Sequence, residues 1–286
     1  MMKTINFAVV SLFIAVLYLW GCTKDTAPEV YPVAEDVILK DVAYGDHEQQ
    51  RMDVYLPAGR SQATTKIVVF IHGGGWMAGD KGDLQFTDEN LQTLKAHFPG
   101  FALVNLNYRL VNGDENRYPT AENDVKQAMD YLYRRLEPYQ LSSDTYLAGG
   151  SAGAHLAALH TLKHNSNGNI KGCVAIAGVY NMQSLYEYGN TEAKLIVAAF
   201  MGGAPTDQGD RYEQASPINF VTSSSPKFLL LHGTEDALVP VSQAYELRDA
   251  LAGNGVEHTV FTYSGGHGIP PEHLAEAFEY IGAFLQ

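Results

Sequence analysis

Short, continuous apolar runs recur along this chain, and longer segments with apolar residues at three- and four-residue spacing separate them. The run Ile67 to Ile71 (Ile-Val-Val-Phe-Ile) is typical of a strand that is buried on both faces of a sheet. Strands that alternate with helices form a mostly parallel sheet covered by helices. The pattern therefore predicts an α/β fold with a mostly parallel, doubly wound sheet of about eight strands.

The predicted elements follow from these two periodicities. The strands are expected at Val37 to Val42, Arg51 to Tyr55, Ile67 to Ile71, Phe101 to Leu106, Thr145 to Ala148, Val174 to Ile176, Phe228 to Leu231 and His258 to Thr262, with the first two antiparallel. The helices are expected at Leu91 to His97, Ala121 to Leu136, Ala152 to His164, Val241 to Leu251 and Pro271 to Phe284.

The stretch from Ala177 to Ser225 breaks this alternation with Gly, Asn, Ser and Pro. We expect it to be an insertion over the carboxyl edge of the sheet, where ligands bind in open α/β folds. Within it, Glu192 to Met201 could form a short lid helix. Its large aromatic residues could either stack on a ligand or belong to the core. They are Tyr180, Tyr186, Tyr188, Phe200, Tyr212 and Phe220.

The composition limits the class of partner. The chain has 286 residues, 46% of them hydrophobic, so it can bury the core of a single domain. Its formal net charge is -13. Its averaged field repels polyanions, and there is no stripe of Lys and Arg that could locally override this field. Nucleic acid is therefore excluded as an expected partner.

The first residues have the pattern of an export signal. Lys3 precedes an apolar run from Ile5 to Trp20, and Gly21-Cys22 follows it. The run is short for a transmembrane helix, which needs roughly 20 apolar residues, although a retained anchor stays open. Leu19-Trp20-Gly21-Cys22 resembles a bacterial lipobox, which implies lipidation of Cys22 and attachment to a membrane. We thus expect a signal peptide over 1–21, a tether over 22–34 and the folded domain over 35–286.

Gly149-Gly150-Ser151-Ala152-Gly153 matches the G-x-S-x-G pattern between a predicted strand and a predicted helix. A serine at such a turn needs glycines on either side, because the two backbones pass too closely for Cβ atoms. The turn would expose the Ser151 hydroxyl at a helix N-terminus, where the helix dipole favours a developing anion. Ser151 is therefore the candidate nucleophile.

A second motif supplies the groups that would stabilise this anion. The strand Ile67 to Ile71 runs into His72-Gly73-Gly74-Gly75-Trp76, which matches the oxyanion loop described for esterases. Successive glycines let backbone N–H groups approach a substrate oxygen closely. We expect Gly74, Gly75 and Ala152 to supply the donors, and His72 to orient the loop.

A serine hydroxyl needs a base, and the base needs an orienting acid. In this fold class the acid follows the serine and the histidine comes last. Asp236 follows the predicted strand Phe228 to Leu231 and is the candidate acid, with Glu235 as the alternative. His267 lies in the loop after the last predicted strand and is the candidate base.

The other histidines and the second cysteine have simpler interpretations. His258 and His273 are expected at the surface, and His155 beneath the serine turn. His160 and His164 have a spacing that can bind zinc, but no carboxylate on their own helix completes a site, so no metal is expected. If Cys22 carries lipid, Cys173 has no disulfide partner, and its apolar surroundings indicate a buried thiol.

These motifs occur in a characteristic order. His72 to Trp76, Gly79-Asp80-Lys81, Asn107-Tyr108-Arg109-Leu110, Gly149 to Gly153 and His232-Gly233-Thr234-Glu235-Asp236 together resemble the carboxylesterases related to hormone-sensitive lipase. More narrowly, the chain is similar to the feruloyl and acetyl-xylan esterase-like branch of bacterial lipoproteins. The resemblance implies an α/β-hydrolase fold, a triad of Ser151, Asp236 and His267, and no cofactor.

The expected function is hydrolysis of short-chain or aromatic acyl esters, such as acetyl or feruloyl groups on plant polysaccharides. Three alternatives stay open: an amidase related to kynurenine formamidases, a prolyl-peptidase-like activity, and an inactive hydrolase fold that binds glycans or proteins. The sequence leaves the oligomeric state open.

Overall fold

A computed structural model describes residues 30–84 and 86–286. The predicted signal peptide and Cys22 lie outside these residues. In the described part, the strands are β1 (Val37–Ala43), β2 (Arg51–Leu56), β3 (Ile67–Ile71), β4 (Ala102–Leu106), β5 (Thr145–Gly150), β6 (Ile170–Ile176), β7 (Lys227–Gly233) and β8 (His258–Tyr263). They form one sheet in the order β1-β2-β4-β3-β5-β6-β7-β8. β2 pairs antiparallel with β1 and β4, and the other neighbours are parallel, which confirms the predicted sheet.

Helices cover both faces of this sheet. They are α1 (Asp88–His97), α2 (Thr120–Arg134), α3 (Leu136–Tyr139), α4 (Ala152–Lys163), α5 (Met182–Tyr188), α6 (Thr191–Met201), α7 (Pro205–Gln214), α8 (Ser242–Gly253) and α9 (Pro271–Leu285). Buried residues of α2, α4 and α8 pack with one face of the sheet, and those of α1 and α9 with the other. Among the described residues, no helix is long and apolar enough to span a membrane.

Burial follows the position of each strand in the sheet. Every residue of β4 is buried, as is every residue of β7 after Lys227, whereas the edge strand β1 is largely exposed. Strands covered on both faces need continuous apolar runs, which is why the central strands were predictable. β6 begins at Ile170, earlier than the predicted start at Val174. The prediction missed the first residues of the strand because Gly172 interrupts the apolar run. A Cβ atom at Gly172 would lie 2.7 Å from Cζ of Phe284 in α9, so the glycine makes room for that helix.

The predicted insertion, residues 177–225, contains three helices, α5 to α7, and a short 3-10 helix over Pro217–Phe220. Two of the polar residues that interrupt the sequence pattern cap the N-termini of helices in this segment. The side chain of Asn181 accepts a hydrogen bond from the Ser184 N–H at the start of α5, and Asn190 accepts one from Ala193 at the start of α6. Asparagine satisfies the free N–H groups of a first helical turn.

Residues at the end of the predicted tether contact the folded domain. The Tyr31 ring contacts Tyr139 with 5.4 Å between ring centroids, and its carbonyl accepts a hydrogen bond from Nη2 of Arg60 at 3.0 Å. The Val33 carbonyl accepts from the Gly59 N–H at 2.7 Å. The last residues assigned to the tether are therefore bonded to the domain, which the polar character of the preceding stretch did not indicate.

Candidate active site

Ser151 lies between the last residue of β5 and the first residue of α4. Its backbone has φ +53° and ψ -119°, a left-handed conformation that is strained for a residue with a Cβ atom. The Ser151 N–H donates a hydrogen bond to the Ile176 carbonyl at 2.8 Å, which ties the turn to the end of β6. The turn thus holds the hydroxyl at the carboxyl edge of the sheet.

Two glycines make this turn possible. A Cβ atom at Gly153 would lie 2.0 Å from the carbonyl oxygen of Ile71, and one at Gly149 would lie 2.5 Å from the carbonyl carbon of Gly153. Both distances are far below van der Waals contact with backbone atoms. The glycines flanking Ser151 are therefore required by the close approach of α4 to β3 and β5.

The structure brings Ser151, His267 and Asp236 together. The Nε2 atom of His267 lies 2.8 Å from Oγ of Ser151, and its Nδ1 atom lies 2.7 Å from Oδ2 of Asp236. Asp236 follows β7, and His267 follows β8. The alternative acid, Glu235, has an exposed side chain, and its backbone N–H donates to the Gly265 carbonyl. The geometry therefore favours Asp236 as the partner of His267.

The surroundings of Asp236 keep its carboxylate ionised. Burial favours the neutral acid, but His232, His267 and the Val239 N–H contact the carboxylate, and together they hold the pKa of Asp236 well below its usual range. An ionised carboxylate only accepts hydrogen bonds, so Nδ1 of His267 must carry the proton. Nε2 of His267 is then free to accept the Ser151 proton.

His232 is a neighbour of the acid that its sequence pattern did not single out as a site residue. Its ring is fully buried, and Nε2 lies 2.8 Å from the Val239 carbonyl and 3.4 Å from Oδ2 of Asp236. Because a carbonyl only accepts, Nε2 carries a proton directed at the turn that holds Asp236. The four-residue spacing between His232 and Asp236 is the signal that could have indicated this contact.

The predicted oxyanion loop follows β3 and faces the same opening as Ser151. Gly74 and Gly75 have φ of +96° and +60°. Within residues 30–84 and 86–286, no group accepts a hydrogen bond from the N–H of Gly74, Gly75 or Ala152. The Ala152 N–H is in the first turn of α4, where helix geometry leaves it free. The three amides are therefore available to a ligand beside Ser151.

His72 and Tyr108 hold the start of this loop. Their rings stack with 4.4 Å between centroids, and the Tyr108 hydroxyl donates to the His72 and Gly73 carbonyls at 3.1 and 3.2 Å. Nδ1 of His72 lies 2.8 Å from the Gly73 carbonyl. The contacts fit the expectation that His72 orients the loop.

Trp76 joins the loop to the buried helix beneath it. Its Nε1–H donates to Nδ1 of His155 at 3.1 Å, so Nε2 of His155 carries the proton that is donated to the Ala215 carbonyl at 2.7 Å. Burial lowers the pKa of His155 to about 4, which keeps this ring neutral. The Trp76 ring also stacks on Phe200 of α6 with 4.3 Å between centroids. His155 therefore connects the oxyanion loop with the insertion from beneath the serine turn, where the sequence placed it.

The remaining sequence candidates lie elsewhere. His164 pairs with Glu122 of α2 at 2.7 Å, and among the described residues no group of three His, Cys, Asp or Glu side chains is arranged to hold a metal ion. Cys173 is fully buried, which raises the pKa of its thiol to about 12. His258 and His273 are half-buried rather than fully exposed.

A cavity of about 300 Å³ opens beside Ser151 and His267. One wall is the oxyanion loop, and the other is formed by aliphatic residues of the insertion, namely Val179, Leu185, Ala193, Ile196 and Val197. None of the insertion aromatics lines this cavity, so the structure favours the second of the two interpretations, in which they belong to the core, over a stacking surface beside Ser151. Tyr180, Phe200 and Tyr212 are core residues, and Tyr188 is 79% exposed on the outside.

The aliphatic wall was missed because its residues look like ordinary core. The predicted lid segment, Glu192 to Met201, corresponds to α6, and its apolar run was the one signal available. α6 turns Ala193 and Val197 inward and leaves Leu195 67% exposed.

The sheet, the strained serine turn and the Ser-His-Asp arrangement together define a protein of the α/β-hydrolase class. The chain belongs to the BD-FAE family, whose pattern matches residues 52–251.

Two curated proteins and one solved structure illustrate the similarity. The chain is 26% identical to a probable isoprenylcysteine alpha-carbonyl methylesterase of Oryza sativa subsp. japonica, over 80% of this chain and 56% of that protein. It is 28% identical to the probable carboxylic ester hydrolase LipM of Mycobacterium tuberculosis, over 74% and 51%. The chain thus spans about half the length of these relatives.

The solved structure is a truncated form of a carbohydrate esterase from gut microbiota. It superimposes with a TM-score of 0.75 at 24% identity and covers 90% of this chain and 97% of its own. This likeness establishes the fold.

Proposed function

We propose that this protein is a serine carboxylic ester hydrolase. The observation that carries the proposal is the hydrogen-bonded chain of Ser151, His267 and Asp236, with distances of 2.8 and 2.7 Å, beside three backbone amides that are free to bind an oxyanion. The names of the relatives support the same reaction class, because both are ester hydrolases.

The reaction follows from the roles of these groups. Nε2 of His267 accepts the Ser151 proton while Oγ attacks the ester carbonyl carbon, and the N–H groups of Gly74, Gly75 and Ala152 bind the oxyanion. His267 then donates the proton to the departing alcohol oxygen, which leaves the acyl group on Oγ. Water attacks this acyl group with His267 as base, the acid departs, and Oγ recovers its proton.

The proposed substrates are esters with short-chain or aromatic acyl groups, such as acetyl or feruloyl groups on plant polysaccharides. The fold shared with a carbohydrate esterase supports a carbohydrate-linked alcohol. The cavity of about 300 Å³ supports a small group next to Ser151. An amidase or a prolyl-peptidase-like enzyme would use the same triad. Comparing the rates of hydrolysis of an aryl acetate, the matching aryl acetamide and a prolyl anilide distinguishes the esterase, amidase and peptidase activities.

Ser151→Ala tests the proposal. We expect the variant to fold but to hydrolyse p-nitrophenyl acetate several orders of magnitude more slowly, because members of a triad act as a unit. Circular dichroism checks the fold. Near-full activity in this variant would refute Ser151 as the nucleophile. No ester hydrolysis by the wild-type protein would refute the proposal and leave the inactive binding protein as the better account.

We also propose that the protein is exported and held at a bacterial membrane by lipid on Cys22. Support comes from the lipobox-like segment Leu19 to Cys22. Metabolic labelling of bacteria that express the full chain should incorporate a fatty acid into the wild-type protein and none into Cys22→Ser. Equal labelling of both, or labelling of neither, would contradict lipidation at Cys22.

A further inference from the structure

The cavity beside Ser151 has a lining that restricts what can occupy it. Its hydrogen-bonding side chains are those of Ser151 and His267, because the Trp76 N–H is directed away to His155. The other side chains of the lining are the Trp76 ring, Met77 and aliphatic residues. Apart from backbone groups, such a surface offers few hydrogen-bond partners beyond Ser151, His267 and the proposed oxyanion amides.

This lining disfavours the alcohol part of a carbohydrate ester. Sugar hydroxyls placed against Leu185, Val197 and Ile196 would lose their hydrogen bonds to water without replacement, which is costly for each group. The sugar must therefore remain outside, at the open mouth of the cavity. The acyl group is then the part of the substrate that enters.

The same reasoning argues against a hydroxycinnamoyl group and narrows the substrates proposed above to those with short-chain acyl groups. If its ring entered the cavity, its phenolic hydroxyl would lie among apolar side chains that cannot replace its hydrogen bonds to water. The cavity volume of about 300 Å³ is also at the lower end of the range for ligand pockets, and the reacting carbonyl occupies part of it. A short aliphatic acyl group fits both the chemistry and the size.

Ile196 closes this cavity against the oxyanion loop. Its Cγ2 atom lies 3.2 Å, and its Cδ1 atom 3.9 Å, from the position that a Cβ atom on Gly75 would occupy. Ile196 is half-buried, whereas the adjacent Leu195 is 67% exposed and does not line the cavity. Shortening the Ile196 side chain therefore opens the gap between α6 and the loop, and shortening Leu195 does not.

We propose that this cavity is the acyl site, that it accepts short aliphatic acyl groups such as acetyl to butyryl, and that Ile196 sets their upper size. The proposal rests on the ester hydrolase function proposed above. In this proposal, α6 contacts the acyl chain and determines which acyl groups fit, and it takes no part in proton transfer.

The experiment compares kcat/KM for p-nitrophenyl acetate, butyrate and octanoate and for methyl ferulate. The proteins are the wild type, Ile196→Ala, Ile196→Val and the matched control Leu195→Ala. The wild type should prefer acetate or butyrate over octanoate and methyl ferulate. Ile196→Ala should raise the octanoate-to-acetate ratio about 10-fold or more, since small changes in an apolar pocket alter discrimination on this scale.

Ile196→Val should raise the octanoate-to-acetate ratio by a smaller factor than Ile196→Ala. This second variant keeps the test valid if the alanine variant folds poorly. Leu195→Ala should keep the ratio within about 2-fold, as an exposed side chain contributes little to discrimination. The inference is overturned if the wild type prefers octanoate or ferulate, or if both Ile196 variants retain the wild-type ratio. Absence of all ester hydrolysis instead refutes the ester hydrolase function, and full activity of Ser151→Ala refutes Ser151 as the nucleophile beside this cavity; either result removes the basis of the inference.

Discussion

The two walls of the cavity differ in what determines their residues. The loops after β3, β5, β7 and β8, which we call the framework, carry the proposed triad and the proposed oxyanion amides. At Gly153 a single added carbon would lie 2.0 Å from a backbone oxygen, so one residue type fits. The insertion, residues 177–225, presents aliphatic side chains that other aliphatic side chains could replace at modest cost. We infer that the framework determines the chemistry and the insertion determines the acyl group.

Asp236→Asn gives the largest effect that this comparison predicts. Asparagine can present its amide NH₂ to His267, which would stabilise the wrong tautomer for accepting the Ser151 proton. We expect kcat for p-nitrophenyl acetate to fall by about 10³ to 10⁴, with the acetate-to-butyrate preference retained. Steady-state kinetics on purified protein measures both.

The matched control for this variant is Glu235→Gln, at the adjacent exposed position. It should lower kcat by less than about 3-fold, because surface groups contribute little to an oriented hydrogen bond. The reverse ranking of the two variants would assign the acid to Glu235 and contradict the geometry.

The sequence predicted the framework well because its constraints are local. Gly149 and Gly153 flank Ser151 at a fixed spacing, and a strand and a helix adjoin them, so the pattern itself specifies the turn. The pairing of Asp236 with His267 required only the chain order and the strand ends. The sheet was predictable from continuous apolar runs, except at the start of β6. There Gly172, which makes room for Phe284, interrupts the apolar run.

The insertion was less predictable because its contacts are not local. The sequence marks Phe200 and Tyr188 equally as aromatic, yet Phe200 is buried against Trp76 and Tyr188 is 79% exposed. Only the packing of α6 across the oxyanion loop distinguishes them. In the same way, Asn181 and Asn190 resemble loop residues until the helices that they cap are known.

The buried ring of His155 predicts a pH dependence of the framework. Burial lowers its pKa in the folded state to about 4, whereas the ordinary value is 6.5. Between these values the unfolded chain binds a proton that the folded chain does not, so the free energy of unfolding falls as the pH falls through this window. The contribution of one histidine is at most about 1.4 kcal/mol per pH unit.

Urea denaturation at several pH values between 6.5 and 4 measures this slope for the wild type and His155→Gln. The pH slope of the free energy of unfolding should be smaller in the variant by the contribution of about one proton. We expect its stability to be lower at every pH, because two buried hydrogen bonds of His155 change. An identical slope in both proteins would show that His155 does not carry the effect.

Trp76→Phe tests the contact between the framework and the insertion. Phenylalanine keeps a ring that can stack on Phe200 but leaves Nδ1 of His155 without its donor. We expect kcat for acetate to fall about 10-fold through displacement of the oxyanion amides, less than the loss of a donor itself would cause. The butyrate-to-acetate ratio should stay within about 2-fold of the wild type.

Phe200→Leu is the complementary variant, since it keeps the Trp76 hydrogen bond and removes the stacked ring from α6. A larger fall of kcat in Phe200→Leu than in Trp76→Phe would indicate that packing, rather than the hydrogen bond to His155, positions the loop.

Tyr188→Ala should give the smallest effect. Its side chain is 79% exposed and does not line the cavity beside Ser151, so kcat/KM for acetate and for methyl ferulate should remain within about 2-fold of the wild type. A selective loss of ferulate hydrolysis would restore the aromatic stacking surface that the sequence suggested and the structure does not support.

The most direct test of the central claim is covalent labelling of Ser151 by a fluorophosphonate that carries a short alkyl group. Intact mass and peptide mapping should show one phosphonyl group per wild-type chain, located on Ser151, and none on Ser151→Ala. The control Ser264→Ala changes an exposed serine three residues before His267 and should be labelled like the wild type. Labelling that persists in Ser151→Ala, or a folded wild-type protein that takes no label, would contradict the assignment of Ser151 as the nucleophile.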